Sequence, residues 1–112
     1  MTPPRLNRRL ALEVRVRVAD GAGGFSEAWA ERGRLWAEVV PGSGIDSANE
    51  EIATALMPYR ITVRGAAAGA ASRPVVAERF RDGTRAYLIL AVAERDAAGQ
   101  YLTCHVRQEE PV

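Results

Sequence analysis

The sequence has no lysine, one cysteine and one histidine, and these shortages exclude several kinds of site. Its fifteen basic residues are all arginine and its acidic residues number fourteen, so the net charge is +1. A charge so close to zero gives no general attraction to nucleic acid or to an anionic membrane. With Cys104 alone, neither an internal disulfide nor a cysteine metal cluster can form, which is typical of a reducing compartment.

Long apolar runs are also missing. No run approaches the roughly 18 residues of a membrane helix, and charges recur from Glu13 onward, where a signal peptide would have its apolar core. We therefore expect a protein that stays in the cytoplasm or in a particle assembled there. The 112 residues suit one domain, 1–112, with a flexible arm over 1–8 and a frayed tail over 108–112.

Short strands are the dominant pattern. From Leu10 to Val18 aliphatic residues alternate with others, mostly charged, the clearest strand signal in the chain. Turn signals recur about every eight to twelve residues, which is typical of an antiparallel barrel or sandwich. Since closure removes exposed edges, we predict a mainly β fold, a small antiparallel β-barrel with one long loop or short helix inserted. The predicted strands are 10–18, 25–31, 34–40, 59–64, 75–81, 86–94 and 101–107, with Leu12, Val14, Val16, Ile61, Val63, Leu88, Leu90 and Leu102 buried.

The insertion lies between the third and fourth of these strands. It is much longer than the roughly two to five residues of an ordinary hairpin loop. Ser47 and Glu50 have the spacing of a capping box, and Pro58 ends the segment, so a short amphipathic helix is predicted over 47–56. Two interpretations remain open: a helix that caps one end of the barrel, or a functional segment that its two strands present.

Groups suited to catalysis are scarce. Cys104 and His105 are adjacent in the last predicted strand, so they point to opposite faces and cannot form a dyad. Cys104 is predicted in the core and His105 outward. Glu50 and Glu51 lie about 100° apart on the predicted helix, an unfavourable arrangement for an acid/base pair. We expect neither an enzyme nor a metal or other cofactor.

Arginines on outward strand faces are the remaining candidates for function. If the strands that carry them pair, they form one patch, which nearby glutamates can neutralise. Nucleic-acid binding is one interpretation, although this face lacks interleaved aromatics for stacking on single strands. The other is assembly, because the planar guanidinium pairs well with carboxylates of a protein neighbour. The arginines are Arg15, Arg17, Arg60 and Arg64, and the glutamates are Glu13, Glu27 and Glu38.

Several motifs occur in a characteristic order and spacing over nearly the whole chain. They are Leu6-Asn-Arg-Arg-Leu-Ala-Leu12, Asp20-Gly-Ala-Gly-Gly-Phe-Ser-Glu-Ala-Trp29, Leu35-Trp-Ala-Glu-Val39, Tyr59-Arg-Ile-Thr-Val-Arg64, Arg79-Phe-Arg-Asp-Gly83, Tyr87-Leu-Ile-Leu-Ala-Val92 and Tyr101-Leu102. With these motifs the sequence resembles the tailed-phage head–tail joining family, also called head-closure or stopper proteins. Its arginine-only, alanine-rich composition is similar to that of an alphaproteobacterial copy, such as the neck protein of a gene transfer agent. In one departure, Gly44 is followed by Ile45-Asp46, where family members often carry a glutamate.

The resemblance implies a ring protein of the virion neck, assembled in the bacterial cytoplasm, which closes the DNA channel after packaging and carries the tail. Its expected partners are copies of itself in a hexamer or dodecamer, an adaptor or portal ring above, and tail terminator or tail proteins below. Double-stranded DNA would pass through without sequence-specific binding. The alternative is a non-viral small-barrel module that binds nucleic acid or protein.

Within the neck interpretation, the insertion is predicted to form the gate and the outward arginines the assembly interface. The insertion is acidic and has no basic residue between Ile45 and Tyr59, so a ring of such segments would repel DNA phosphates at short range. Its apolar residues would close the channel by mutual contact. The predicted gate residues are Ile45, Asp46, Glu50, Glu51, Ile52, Leu56 and Met57.

Overall fold

The computed structural model describes residues 3–42 and 58–109, which form one antiparallel sheet. Its strands are β1 (Arg8–Ala19), β2 (Phe25–Pro41), β3 (Pro58–Arg64), β4 (Arg79–Asp82), β5 (Arg85–Glu94) and β6 (Tyr101–Glu109). Neighbouring strands follow the order β1-β2-β3-β6-β5-β4, and β4 pairs with β1, so the sheet closes into a barrel. The predicted fold class is confirmed, whereas the helix predicted over 47–56 lies outside the described residues.

One core fills the barrel, built from the inward side chains of every strand. Tyr59 at its edge meets Tyr87 edge to face, with ring centroids 5.4 Å apart. Each buried aliphatic or aromatic side chain contributes on the order of 1.5–3 kcal/mol. The buried core residues are Leu10, Leu12, Ala37, Ile61, Val63, Phe80, Tyr87, Ile89, Leu102, Cys104 and Val106. Four predictions of burial are thereby confirmed: Leu12, Ile61, Val63 and Leu102.

Leu90 was predicted to be buried and is instead 49% exposed. The register between β5 and β6 shifts between Ile89 and Ala91, which marks a β-bulge. Ile89 faces the core before the bulge and Val92 packs against it afterwards, so the inward face changes from odd to even positions. A bulge inserts one residue and reverses the alternation, which is why simple period-two counting fails here. Leu88, also predicted to be buried, is half-buried.

β1 and β2 continue beyond the barrel as a two-stranded ribbon, residues 14–30, here called the hairpin arm. β1 pairs with β4 only as far as Glu13, and β2 pairs with β3 only from Ala37 onward. The arm therefore has no third strand beside it among the described residues. Val14 and Val16, predicted in the core, are half-buried because they lie on this ribbon.

A glycine-rich turn lies at the tip of the arm. The Asp20 carboxylate accepts hydrogen bonds from the amides of Ala22 and Gly24, at 2.8 and 3.0 Å. Gly21 and Gly23 have φ of 80° and 85°, backbone angles that residues with a Cβ rarely adopt. The break predicted at 31–34 is wrong, since β2 runs through these residues with a register shift opposite Leu12 and Glu13.

The strand predicted over 75–81 begins only at Arg79. Residues 75–78 form a turn in which the amide of Glu78 donates to the Val75 carbonyl at 3.1 Å. The Glu78 carboxylate accepts in return from the Val75 amide at 2.9 Å, and Ala77 has φ of 76°. The local side-chain hydrogen bond overrides the strand propensity of the two valines.

The insertion starts and ends at neighbouring backbone positions. Pro41 pairs with Tyr59 at the end of the β2–β3 ladder, and the Gly42 amide donates to the Pro58 carbonyl at 3.0 Å. A Cβ on Gly42 would lie 3.2 Å from that carbonyl oxygen, so glycine suits this close approach. The two described residues that flank the insertion, Gly42 and Pro58, are therefore neighbours at one end of the β2–β3 ladder. At the other end of the chain, the predicted frayed tail 108–112 needs correction, because β6 continues to Glu109.

Candidate functional site

The outward arginines form two groups rather than the single predicted patch. That patch required β1 to pair with β3, but β2 lies between them in the sheet. Arg15 and Arg17 lie on the hairpin arm, whereas Arg60 and Arg64 lie on β3. Their surroundings differ as well, and this difference defines the candidate site.

The two arginines of the hairpin arm have partners within the chain. Arg15 lies 3.1 Å from the Glu27 carboxylate, and its guanidinium is 5.0 Å from the centre of the Trp29 ring. The Arg17 guanidinium lies 4.4 Å from the ring of Phe25 at the arm's tip. Aromatic rings therefore do interleave with these arginines, contrary to the prediction. The guanidiniums already occupy ring faces through cation–π contacts.

A closed ionic cluster lies where the arm joins the barrel, and we call it the paired face. Arg79 Nε donates to Glu13 Oε1 at 2.6 Å, and the Arg79 and Glu13 side chains are only 10% and 12% exposed. Arg81 Nε contacts the same oxygen at 3.4 Å, and Glu109 lies 3.8 Å from Arg79. The Trp29 ring covers the Arg79 guanidinium at 4.2 Å. Such a cluster holds β1, β4 and β6 together and leaves Glu13 engaged.

A cavity of about 220 Å³ opens on the outer side of β2, β3 and β6, and we call this the open face. One cross-strand row, formed by Glu38, Thr62 and Thr103, crosses its wall. Arg60 lies one row away, between Val40 and His105. The residues that line the cavity are Glu38, Val40, Arg60, Thr62, Arg95 and Thr103.

Arg60 is the distinctive residue of the open face. Its Nε is shielded from solvent and has no hydrogen-bond partner among the residues that the structure describes. Thr62 points outward from the barrel, yet it is only 5% exposed. Glu38 accepts a hydrogen bond from the Arg5 amide at 2.8 Å, so the N-terminal segment holds that carboxylate. An unpaired donor in a recess with two hydroxyl side chains is suited to an incoming acceptor.

Arg64 lies at a different recess. A depression of about 370 Å³ is lined by Arg64 and Arg34 with the indole of Trp36, which is 54% exposed. The sequence pattern identified Arg64 but not Trp36 in this depression. It also did not identify Thr62, Thr103 and Arg95 as residues of the open-face cavity. Trp36 could have been found, because a tryptophan that strand alternation places outward is a signal of a surface site. Arg95 reaches the open face only because β5 follows β6 in the sheet, which no local pattern reveals.

Cys104 and His105 are placed as predicted, whereas Glu50 and Glu51 lie outside the described residues. Cys104 is in the core and His105 is exposed on the opposite face of β6. Burial raises the pKa of the Cys104 thiol to about 12, so the thiol stays protonated and unreactive at neutral pH. Over residues 3–42 and 58–109, no three histidine, cysteine or acidic side chains gather as metal ligands would. The same stretch contains no helix long and apolar enough to cross a membrane.

The chain is thus a small antiparallel β-barrel with outward arginines and two surface recesses among the described residues. The sequence matches the model of the phage head completion protein family over residues 1–110, and the chain belongs to that family. The predicted resemblance to head-closure proteins is thereby confirmed, and the family indicates a structural role in completing the head.

Two solved structures are similar to the chain. One, from the virion of a native gene transfer agent particle, is 50% identical, covers 98% of this chain and 100% of its own, and has a TM-score of 0.74. The other is the solution structure of protein SF1141 from Shigella flexneri 2a, 22% identical over both full chains with a TM-score of 0.66. At that identity it supports the fold alone. No curated protein matches the chain.

Proposed function

We propose that this protein is a neck component of a phage-like particle, where it forms a ring between the portal or adaptor and the tail. The ring closes the DNA channel after packaging and serves as the platform to which the tail attaches. The observation that carries this proposal is the full-length, 50% identical relative from a gene transfer agent virion, together with the family match. A hexamer or dodecamer of this chain, contacted by adaptor and tail proteins, is the assembly we propose.

The gate of that ring is the insertion, including Ile45, Asp46, Glu50, Glu51, Ile52, Leu56 and Met57. These residues lie outside the part of the chain that the structure describes. Support comes from the attachment of the insertion, since Gly42 and Pro58 hold its two ends together by a backbone hydrogen bond. A segment anchored at one point can project from the barrel without disturbing the sheet.

Deletion of the gene in a strain that produces the particles tests the proposal. We expect heads that lack tails and lose packaged DNA to nuclease, with recovery when the gene is restored. Tailed, nuclease-resistant particles in the deletion strain would contradict it.

Replacing 46–56 by a Gly-Ser linker of equal length tests the gate separately. Tails should still attach, while the packaged DNA becomes nuclease-sensitive. The matched control is the same replacement at 67–69, an exposed loop of small residues away from the insertion. Particles that keep their DNA with the linker at 46–56 would assign the insertion a merely structural role.

The outward arginines are the proposed assembly interface. Arg60 and Arg64 are the stronger candidates, because no intramolecular ion pair involves either residue among the described residues. Arg15 already has Glu27, and Arg17 has the Phe25 ring, so binding a partner would require them to exchange contacts.

A further inference from the structure

The open face has the features of a receptor for one side chain. Its cavity of about 220 Å³ is a partly open recess on the sheet rather than a flat charged patch. Three strands form its wall through the row of Glu38, Thr62 and Thr103, so its shape is fixed by backbone pairing. A rigid recess binds a ligand without first being ordered, which lowers the entropic cost of binding.

The chemistry of the recess calls for an acceptor. A buried donor without a hydrogen-bond partner is destabilising, and the Arg60 Nε is such a donor among the described residues. The hydroxyls of Thr62 and Thr103 provide two more groups able to donate. Arg60 contributes a positive charge to this lining, in which Glu38 is the acidic side chain.

We propose that this cavity receives the carboxylate of an aspartate or glutamate side chain from a neighbouring protein of the particle. A carboxylate accepts two parallel hydrogen bonds from a guanidinium, which neither a hydroxyl nor an amide oxygen matches in strength. That the carboxylate comes from a particle protein rests on the proposed function, whereas the preference of the cavity for a carboxylate does not.

Glu38 favours a carboxylate over a nucleic-acid phosphate. Its side chain lines the same cavity and is held in place by the Arg5 amide at 2.8 Å, so it remains near any bound anion. Glu38 therefore already places one negative charge in the lining that holds Arg60. A single carboxylate adds one further negative charge there, while a DNA backbone brings a row of phosphates along the surface.

The first arm of the test uses the isolated full-length protein. N-acetyl-glutamate N-methylamide is titrated while the backbone amides of Thr62 and Thr103 are followed by NMR. We expect saturable shifts at both, at least tenfold weaker binding to Arg60→Met, and unchanged binding to Arg9→Met, a control at an exposed arginine outside the cavity and the proposed interface. The neutral glutamine analogue should bind at least tenfold more weakly. Thr62→Val serves as a second variant, and thermal unfolding checks that each variant folds.

Equal binding to Arg60→Met, or no saturable shift with the wild-type protein, would overturn the proposal. Inorganic phosphate that binds as tightly as the carboxylate would overturn it in favour of a general anion site.

The second arm replaces the gene in the particle-producing strain. Arg60→Met should reduce incorporation of the chain into particles at least tenfold, while Arg64→Met reduces it less. A photocrosslinker placed at Val40 in otherwise wild-type particles should form a crosslink to another protein. The crosslinked peptide of that protein should contain an acidic residue or lie close to one. A crosslink to DNA or within the same chain would overturn the proposal. Normal particles in the deletion strain would instead refute the proposed function, whatever the titration shows.

Discussion

The paired face and the open face of the barrel carry the same guanidinium chemistry and use it differently. On the paired face, Arg79 contacts Glu13 at 2.6 Å under the ring of Trp29. On the open face, the Nε of Arg60 has no partner among the described residues although it is shielded from solvent. A buried ion pair closed within the chain fixes strands, whereas an unpaired donor in a recess is available to a second molecule. The contrast separates residues that hold the fold from residues that the fold presents.

The largest expected effect is on the core that both faces enclose. Ile61 is fully buried and next to Arg60, but it points inward. An aspartate there would bury an unpaired charge at a cost of several kcal/mol, comparable to the about 5–15 kcal/mol that stabilises a small domain. We expect Ile61→Asp to be insoluble or unfolded by circular dichroism.

Val14→Asp, measured in the same way, is the variant to compare with Ile61→Asp. Val14 lies on the hairpin arm and is half-buried, so its substitution should leave a folded, destabilised protein. The sequence alone predicted that both side chains are buried. An Ile61→Asp protein that unfolds cooperatively at the wild-type temperature would refute the assignment of the core.

Strand alternation predicted the fold well, because it reports which face of each strand is buried. It identified both faces of β3 and β6, including Cys104 inward and His105 outward. It failed at Leu90 because the bulge beside it depends on pairing with β6, and at 75–78 because a side-chain hydrogen bond forms the turn. Both failures have causes that a period-two pattern does not contain.

The candidate site was predicted only in part, for the same reason. Arg60 was identified as outward, which depends on its own strand. Its cavity depends on which strands become neighbours, since Glu38, Thr103 and Arg95 come from distant positions in the sequence. The expected single arginine patch failed because β2 separates β1 from β3.

Opening the paired face should have the next largest effect. Arg79→Met removes the nearest partner of Glu13. The carboxylate, which is 12% exposed, then keeps only the 3.4 Å contact to Arg81 among the described residues. We expect a loss of about 3 kcal/mol in the free energy of unfolding, measured by urea denaturation. The control is Arg15→Met, which removes an exposed pair and should cost less than about 1 kcal/mol. Equal losses in the two variants would mean that the paired face contributes no more than an exposed ion pair.

Removing the cover of the paired face should have a smaller effect. Trp29 is half-buried, and its ring lies 4.2 Å from the Arg79 guanidinium and 5.0 Å from that of Arg15. Trp29→Ala loses part of the packing of a large aromatic and two cation–π contacts, about 2 kcal/mol in total. Adding Arg79→Met to Trp29→Ala should then cost less than Arg79→Met alone, because the two side chains share a contact. Strictly additive losses would show that the ring does not cover the ion pair.

The smallest expected effect is at the open face, and it distinguishes the two faces most sharply. Arg60→Met keeps the apolar stem of the side chain and removes the guanidinium with its shielded Nε, which has no partner to lose among the described residues. The free energy of unfolding should stay within about 1 kcal/mol of the wild type or rise, since an unsatisfied donor is removed. Urea denaturation of Arg60→Met beside Arg79→Met measures the difference directly. A loss above about 2 kcal/mol at Arg60 would mean that its guanidinium is paired within the folded chain. The open face would then be a second paired face, with no acceptor site left to offer a neighbour.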